Sequence, residues 1–444
     1  MRLADFAVNL RYEDIPQDVL NRVKNTIADG VGAMIFGYDL PWSQVALRYA
    51  VRYGVGGDSQ ILGLGAPKVN APQAAFVNGS LAHAFELDGA TKPGFGVHPC
   101  ATIFPSALAV AQEKGATGRD VLSAFVAATE VSVRIGRASK KSNEQRGFHG
   151  PGTTGPFGGA IGAGRLLRLN VPAMTNALGI AASLACGVAQ FTRSGTGTMV
   201  KRMHFGRACE SGILAANLAA DGFTGPHDAI EGELGFLRAF CDEYNTPALT
   251  AGLGDKYETL GIYMKRFASH GCTQIPLQAL QDIQAEYGFA GDDVERIEVS
   301  GSEERVDRHN RLEPADRMLA QYSLPFSMAL GCYRNPKDPR SFDDSALQDS
   351  KIRALTRRVR FFVSEDPAEH TSEVNTVTIH LKSGKVLRRQ ARDFIGTPSM
   401  PPSDNDVYEK FSTLTSHCPK AKADEIFERL QKLEAEENFD WLSI

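Results

Sequence analysis

Apolar positions recur at helical spacing through most of the first 265 residues. After Pro16, placed where a first helical turn tolerates proline, Val19, Leu20, Val23, Ile27 and Val31 predict a helix over residues 16–37. Residues 41–53 and 72–87 read as further helices, the second rich in small residues that permit close packing. Thr117 and Asp120 have the spacing of a capping box, and Val121, Phe125, Val126 and Val131 carry an apolar face onward to Gly136. Pro172 opens a helix running to about Ala189, and residues 207–220 form another, ended by the turn signal Asp221-Gly222. No alternating strand is evident before about residue 265. Beyond it, β-branched alternation predicts strands over 294–300 and 358–363 and a hairpin over 374–381 and 385–389, turning at Ser383-Gly384. Residues 314–332 and 343–357 are helical by pattern, and helical spacing returns from Asp404. The layout predicts a mainly α protein. A large all-helical domain is built from both chain ends, 1–268 and 398–444, and a smaller α+β domain, 269–397, is inserted.

At 444 residues the chain is too long for one ordinary core, which agrees with two domains. A net charge of −4 gives no general attraction to nucleic acid or to a membrane surface, so any anion affinity must be local. The seven cysteines show no C-x-x-C spacing, which argues against a zinc ribbon or a close-spaced iron–sulfur motif. The N-terminus lacks a signal-type apolar region, and no run reaches the ~18 apolar residues of a spanning helix. Reduced thiols in a cytoplasmic protein are the expectation.

The candidate chemistry centres on residues 146–210. Gly150-Pro-Gly-Thr-Thr-Gly155 formally matches G-x-G-x-x-G, but charged and polar residues precede it instead of a buried strand, which removes a Rossmann site. The glycines read as a loop leading to a helix near residue 157, serving either to face an anion or to allow tight packing. His149 lies just before them. Lys201-Arg202-x-His204 and Lys265-Arg266-x-x-x-His270 each join adjacent cations to a histidine within apolar surroundings. Buried cations need anionic partners, and substrate carboxylates would supply them. His98 follows residues 88–91 across a loop containing Gly94 and Gly96, and Tyr322 taken alone reads as a core tyrosine.

Together these runs resemble the MmgE/PrpD family of 2-methylcitrate dehydratases, cis-aconitate decarboxylases and iminodisuccinate epimerases. The resemblance covers nearly the whole chain. It rests on Ala82-His83-Ala84, His98-Pro99, Arg146-Gly-Phe-His149, Lys201-x-x-His204-x-Gly206, Gly222-Phe-Thr-Gly225-Pro226 and Lys265-x-x-x-x-His270 in that order. It implies a helical domain with an α+β lid, a homodimer, and a pocket between domains working without metal or organic cofactor on a small polycarboxylate. Carried over residue by residue, the implied pocket contains His98, His149, Lys201, His204, Lys265, His270 and Tyr322. The resemblance implies a lyase, a dehydratase or decarboxylase, with an epimerase as the alternative and a non-catalytic carboxylate binder as a third reading. The expected catalytic groups are His149, His270, Lys201, Lys265 and Tyr322, with Asp88, His98, His204 and Arg266 orienting or binding substrate. One segment departs: family lyases tend to read Asp-x-Asp-Asp-Thr where this chain has Glu86-Leu-Asp88-Gly89-Ala-Thr91.

Overall fold

A computed structural model describes residues 1–93, 95–370 and 374–444. Gly94 of the expected glycine loop lies outside them, as do residues 371–373. The protein is mainly α with a smaller α+β part. Helices Gln17–Tyr38, Pro41–Tyr53 and Gly118–Ala138 form as their periodicity predicts, the last opened by a complete Thr117/Asp120 capping box. The apolar side chains gather in two clusters. One joins residues from the first 264 to the C-terminal helices Asp404–Leu414 and Lys420–Gln431; the other lies mostly within 267–391. The second surrounds a four-stranded sheet in the order Val359–Val363, Val294–Gly301, Asn375–Leu381, Val386–Ala391, in which only the first pair is parallel.

Several boundaries differ from expectation, and the differences place the site. The helix expected over 72–87 ends at Ala82. Residues 83–88 leave it as an irregular segment in which Glu86 adopts a φ of 56°, a left-handed conformation that a side chain disfavours. Here Phe85 and Leu87 join the second apolar cluster, while Glu86 and Asp88 turn to the polar interior. Short strands do occur early: Ala90–Thr91 pairs antiparallel with Ile262–Tyr263, which brings Glu86 alongside Lys265. That pairing demands Gly89, because a Cβ there would lie 2.0 Å from the Tyr263 carbonyl oxygen. The helix opened by Pro172 stops at Ser183.

The glycine run is the largest correction. It is not a loop: helix Gly150–Leu166 begins at the first glycine. Low intrinsic propensity is overridden by packing against helix Val200–Ala220, which starts seven residues before its expected limit. A Cβ on Gly212 would sit 2.4 Å from the Gly159 carbonyl carbon, so backbone meets backbone where these helices cross. The tight-packing reading of the glycines therefore stands over the anion loop.

Candidate active site

A single buried carboxylate organises the site. Glu86 Oε2 accepts from Lys265 Nζ at 3.1 Å, and Oε1 accepts from Lys201 Nζ and from the Tyr322 hydroxyl, the latter at 3.1 Å. Oε1 also lies 3.1 Å from His83 Nε2. Burial alone would raise the Glu86 carboxyl, but Lys201, His83 and Lys265 outweigh it and hold it well below the usual carboxylate range. The anionic partner expected from substrate is thus already present in the chain.

Asp88 forms the second node. Its two oxygens lie 2.5 Å from His83 Nδ1 and 2.7 Å from His98 Nδ1, and the side chain is fully buried. Burial pushes its carboxyl up while His83 and His98 pull it further down, again well below the ordinary range. Both His83 nitrogens face carboxylate oxygens, yet burial, helped by Lys201, outweighs the pull of Asp88 and Glu86 and holds the imidazole below its ordinary value. Phe205 stacks on the His83 ring with centroids 3.9 Å apart and meets His98 and His149 edge-on.

A second pair of imidazoles has no carboxylate partner among the described residues. His149, the residue before helix Gly150–Leu166, places Nδ1 2.9 Å from His204 Nδ1. One of these nitrogens must donate and the other accept. Burial and the neighbouring Lys201 depress both, His149 well below the ordinary imidazole value and His204 to about 4. His270 caps helix Gly271–Tyr287, accepting the Cys272 N–H at Nδ1, and its ring stacks on His309 at 4.3 Å and near Tyr322 at 4.9 Å. Burial and His309 hold His270 well below its ordinary value. At neutral pH these rings are uncharged.

The cations differ from one another. Burial lowers Lys201 to about 8 against the pull of Glu86, with Lys265 and Arg202 adding to the depression. Lys265 is also penalised by burial, but Glu86 and Asp88 raise it above its ordinary value. Burial and Glu86 raise Tyr322 well above the usual phenol value, so it keeps its proton. The Lys201 ammonium also lies 4.9 Å above the Tyr322 ring centre.

The structure therefore brings together His98, His149, Lys201, His204, Lys265, His270, Tyr322 and Asp88. It does not bring in Arg266, whose guanidinium points to a different cavity, 3.6 Å from Asp406. Lys265 Nζ instead reaches Glu86, although both residues line that cavity. Sequence reasoning gave no role to His83, His309 or Glu86 as a clamp partner. His83 sits in a quoted motif and was the most accessible of these signals. Two groups have metal-ligand chemistry, His83/Asp88/His98 and His270/Cys272/His309. In the first, the ligand atoms already satisfy one another, and in the second burial pushes the Cys272 thiol up to about 12. Neither is assigned a metal here.

A helical scaffold with a small α+β part carries paired lysines, histidines and a protonated tyrosine around a buried carboxylate. The chain belongs to the MmgE/PrpD family: residues 1–248 match the family's N-terminal domain and 267–434 its C-terminal domain. It is 32% identical over 300 residues to the cis-aconitate decarboxylase of Aspergillus terreus, a stretch covering 64% of this chain and 60% of that protein. The human cis-aconitate decarboxylase is 27% identical over 418 residues, covering 90% of this chain and 84% of that protein. A cis-aconitate decarboxylase-like protein of Aspergillus oryzae is 27% identical over 97% of this chain and 92% of its own length. Among the described residues no helix is long and apolar enough to cross a membrane.

Proposed function

We propose that the protein is a lyase of small di- or tricarboxylates, with loss of CO₂ from a cis-aconitate-like substrate as its reaction. The observation that carries this reading is the lysine pair, which already grips one carboxylate, that of Glu86. The relatives' names supply the substrate to try first. When the bond to the departing carboxylate breaks, CO₂ leaves and the electron pair remains on carbon conjugated with a second carboxylate. Preorganised ammonium groups stabilise that charge as it forms. A proton must then reach carbon, and Tyr322 and Lys201 are the groups that hold one at neutral pH. Asp88 orients His83 and His98, while His98 and His204 meet substrate. The substrate's own carboxylate is the electron sink, so this chemistry asks for no metal or organic cofactor. The same reading carries the 269–397 unit as a lid bearing His270 and Tyr322, in a cytoplasmic homodimer.

Two observations favour a competing reading. His149 and His270 are neutral bases on different elements, and the Asp-Asp pair typical of family lyases is Asp88-Gly89 here. Proton abstraction by such bases serves dehydration of a 2-methylcitrate-like substrate or epimerisation of a dicarboxylate. NMR of the protein with a panel of polycarboxylates in D₂O separates the readings. CO₂ release from cis-aconitate is the expected result. Water loss would move the assignment to a dehydratase, deuterium uptake without mass loss to an epimerase, and no turnover across the panel to a carboxylate-binding protein.

A further inference from the structure

Arg266, displaced from the substrate site, lines a cavity of about 350 Å³ behind it, between the 264–266 segment, the 335–337 loop and helix Asp404–Leu414. Its Nε and Nη1 atoms are buried and have no hydrogen-bond partner. Such orphaned donors on a charged group are costly unless something accepts from them. Lys337 lines the same space and makes no ion pair among the described residues. Two acidic residues also line it: Asp406 Oδ1 pairs with Arg266 Nη1 at 3.6 Å, too long for a hydrogen bond, and Glu409 makes no hydrogen bond to Arg266 among the described residues. Asp406 spends Oδ2 on the Ser403 N–H and hydroxyl, and Glu409 accepts from Asn405. Burial and the nearby Arg266 lower the Lys337 pKa, which places the two cations in one another's field.

The cavity also touches the backbone that carries the site. Lys410, on its wall, donates to the Lys265 carbonyl at 2.7 Å and the Leu87 carbonyl at 2.8 Å, and pairs with buried Asp29 at 2.5 Å. These carbonyls belong to a clamp lysine and to the residue between Glu86 and Asp88.

We propose that this cavity is a second ligand site, distinct from the substrate pocket, that takes a small oxyanion bearing an O–H group. Its anionic oxygens are received by Arg266 and Lys337, and its hydroxyl or acidic proton faces Asp406 Oδ1, the oxygen 3.6 Å from Arg266 Nη1. Hydroxycarboxylates and hydrogen phosphate both have this chemistry.

Isothermal titration calorimetry with citrate and, separately, inorganic phosphate tests the site on the full chain. At least one of the two should bind, and which one does identifies the oxyanion. Lys337→Ala and Arg266→Gln should each weaken that binding about tenfold or more, while Lys201→Ala leaves it intact. Lys337→Ala, at a partly exposed loop position, should keep its melting temperature and its basal turnover. The proposal is overturned if neither anion binds, if Lys337→Ala binds as wild type, or if Lys201→Ala abolishes binding, which would put the anion in the substrate pocket. Because the readout is binding, it stands apart from whether the reaction is decarboxylation.

Discussion

Two sets of imidazoles share one pocket wall, joined by Phe205, and differ in what faces them. His83 and His98 are held by Asp88, with Glu86 on the far side of His83. His149 and His204 face each other, Phe191 and the charge of Lys201. The first set is held against carboxylates; the second is kept neutral, the state in which a histidine can accept a proton. Burial also outweighs the carboxylates at His83 and holds that ring below its ordinary value, so the two sets differ in their neighbours more than in the direction of their shifts.

The strongest way to break this contrast is to remove the charge at its centre. Glu86→Gln leaves Lys201 and Lys265 buried without their counter-ion and should cost about 3–5 kcal/mol of stability, read from urea unfolding midpoints. Glu86→Asp, the residue typical of family lyases, should recover a large part of it. Equal stability of Glu86→Gln and wild type would mean that the lysines do not depend on this carboxylate.

Next in size is the clamp itself. Lys201→Ala and Lys265→Ala should each lower kcat/KM at least about a hundredfold, the scale of one transition-state charge contact. Stability cannot substitute for this readout, because each variant also relieves burial of a cation. Near-normal kcat/KM in either would remove that lysine from the proposed chemistry.

Periodicity made most of the scaffold legible. Helix 17–38, the capping box at Thr117 and the 294–301 strand were all readable because apolar spacing reports which face is buried. It does not report what lies against that face. Gly150, Gly152 and Gly155 read as a loop until the partner backbone is in view, and Gly159 and Gly212 are then the condition for a helix crossing. The end of helix Ala71–Ala82 was invisible for a related reason: residues 83–88 are as buried as the helix before them, so burial pattern continues where the hydrogen-bond ladder stops. Site residues carried over from motif spacing fell together except Arg266, and there adjacency in sequence misled. Of that Lys-Arg pair, the Lys265 ammonium reaches Glu86 while the Arg266 guanidinium lies beside Asp406.

The smallest expected effect concerns the neutral pair. His204 titrates at about 4 in the folded protein, against an ordinary value near 6.5. As pH falls, the unfolded chain takes up this proton before the folded one, so the associated stability is full above about 6.5 and is lost on the way to about 4. Glu86 and Asp88 are also depressed, but from ordinary carboxyl values, so their contribution is lost only at lower pH. His204→Gln keeps a donor for His149 and removes the titrating ring. Its unfolding midpoint should therefore decline less steeply than wild type between pH 7 and 4.5, while both proteins lose stability alike below that window. Parallel slopes throughout would show that His204 is not held neutral in the folded protein.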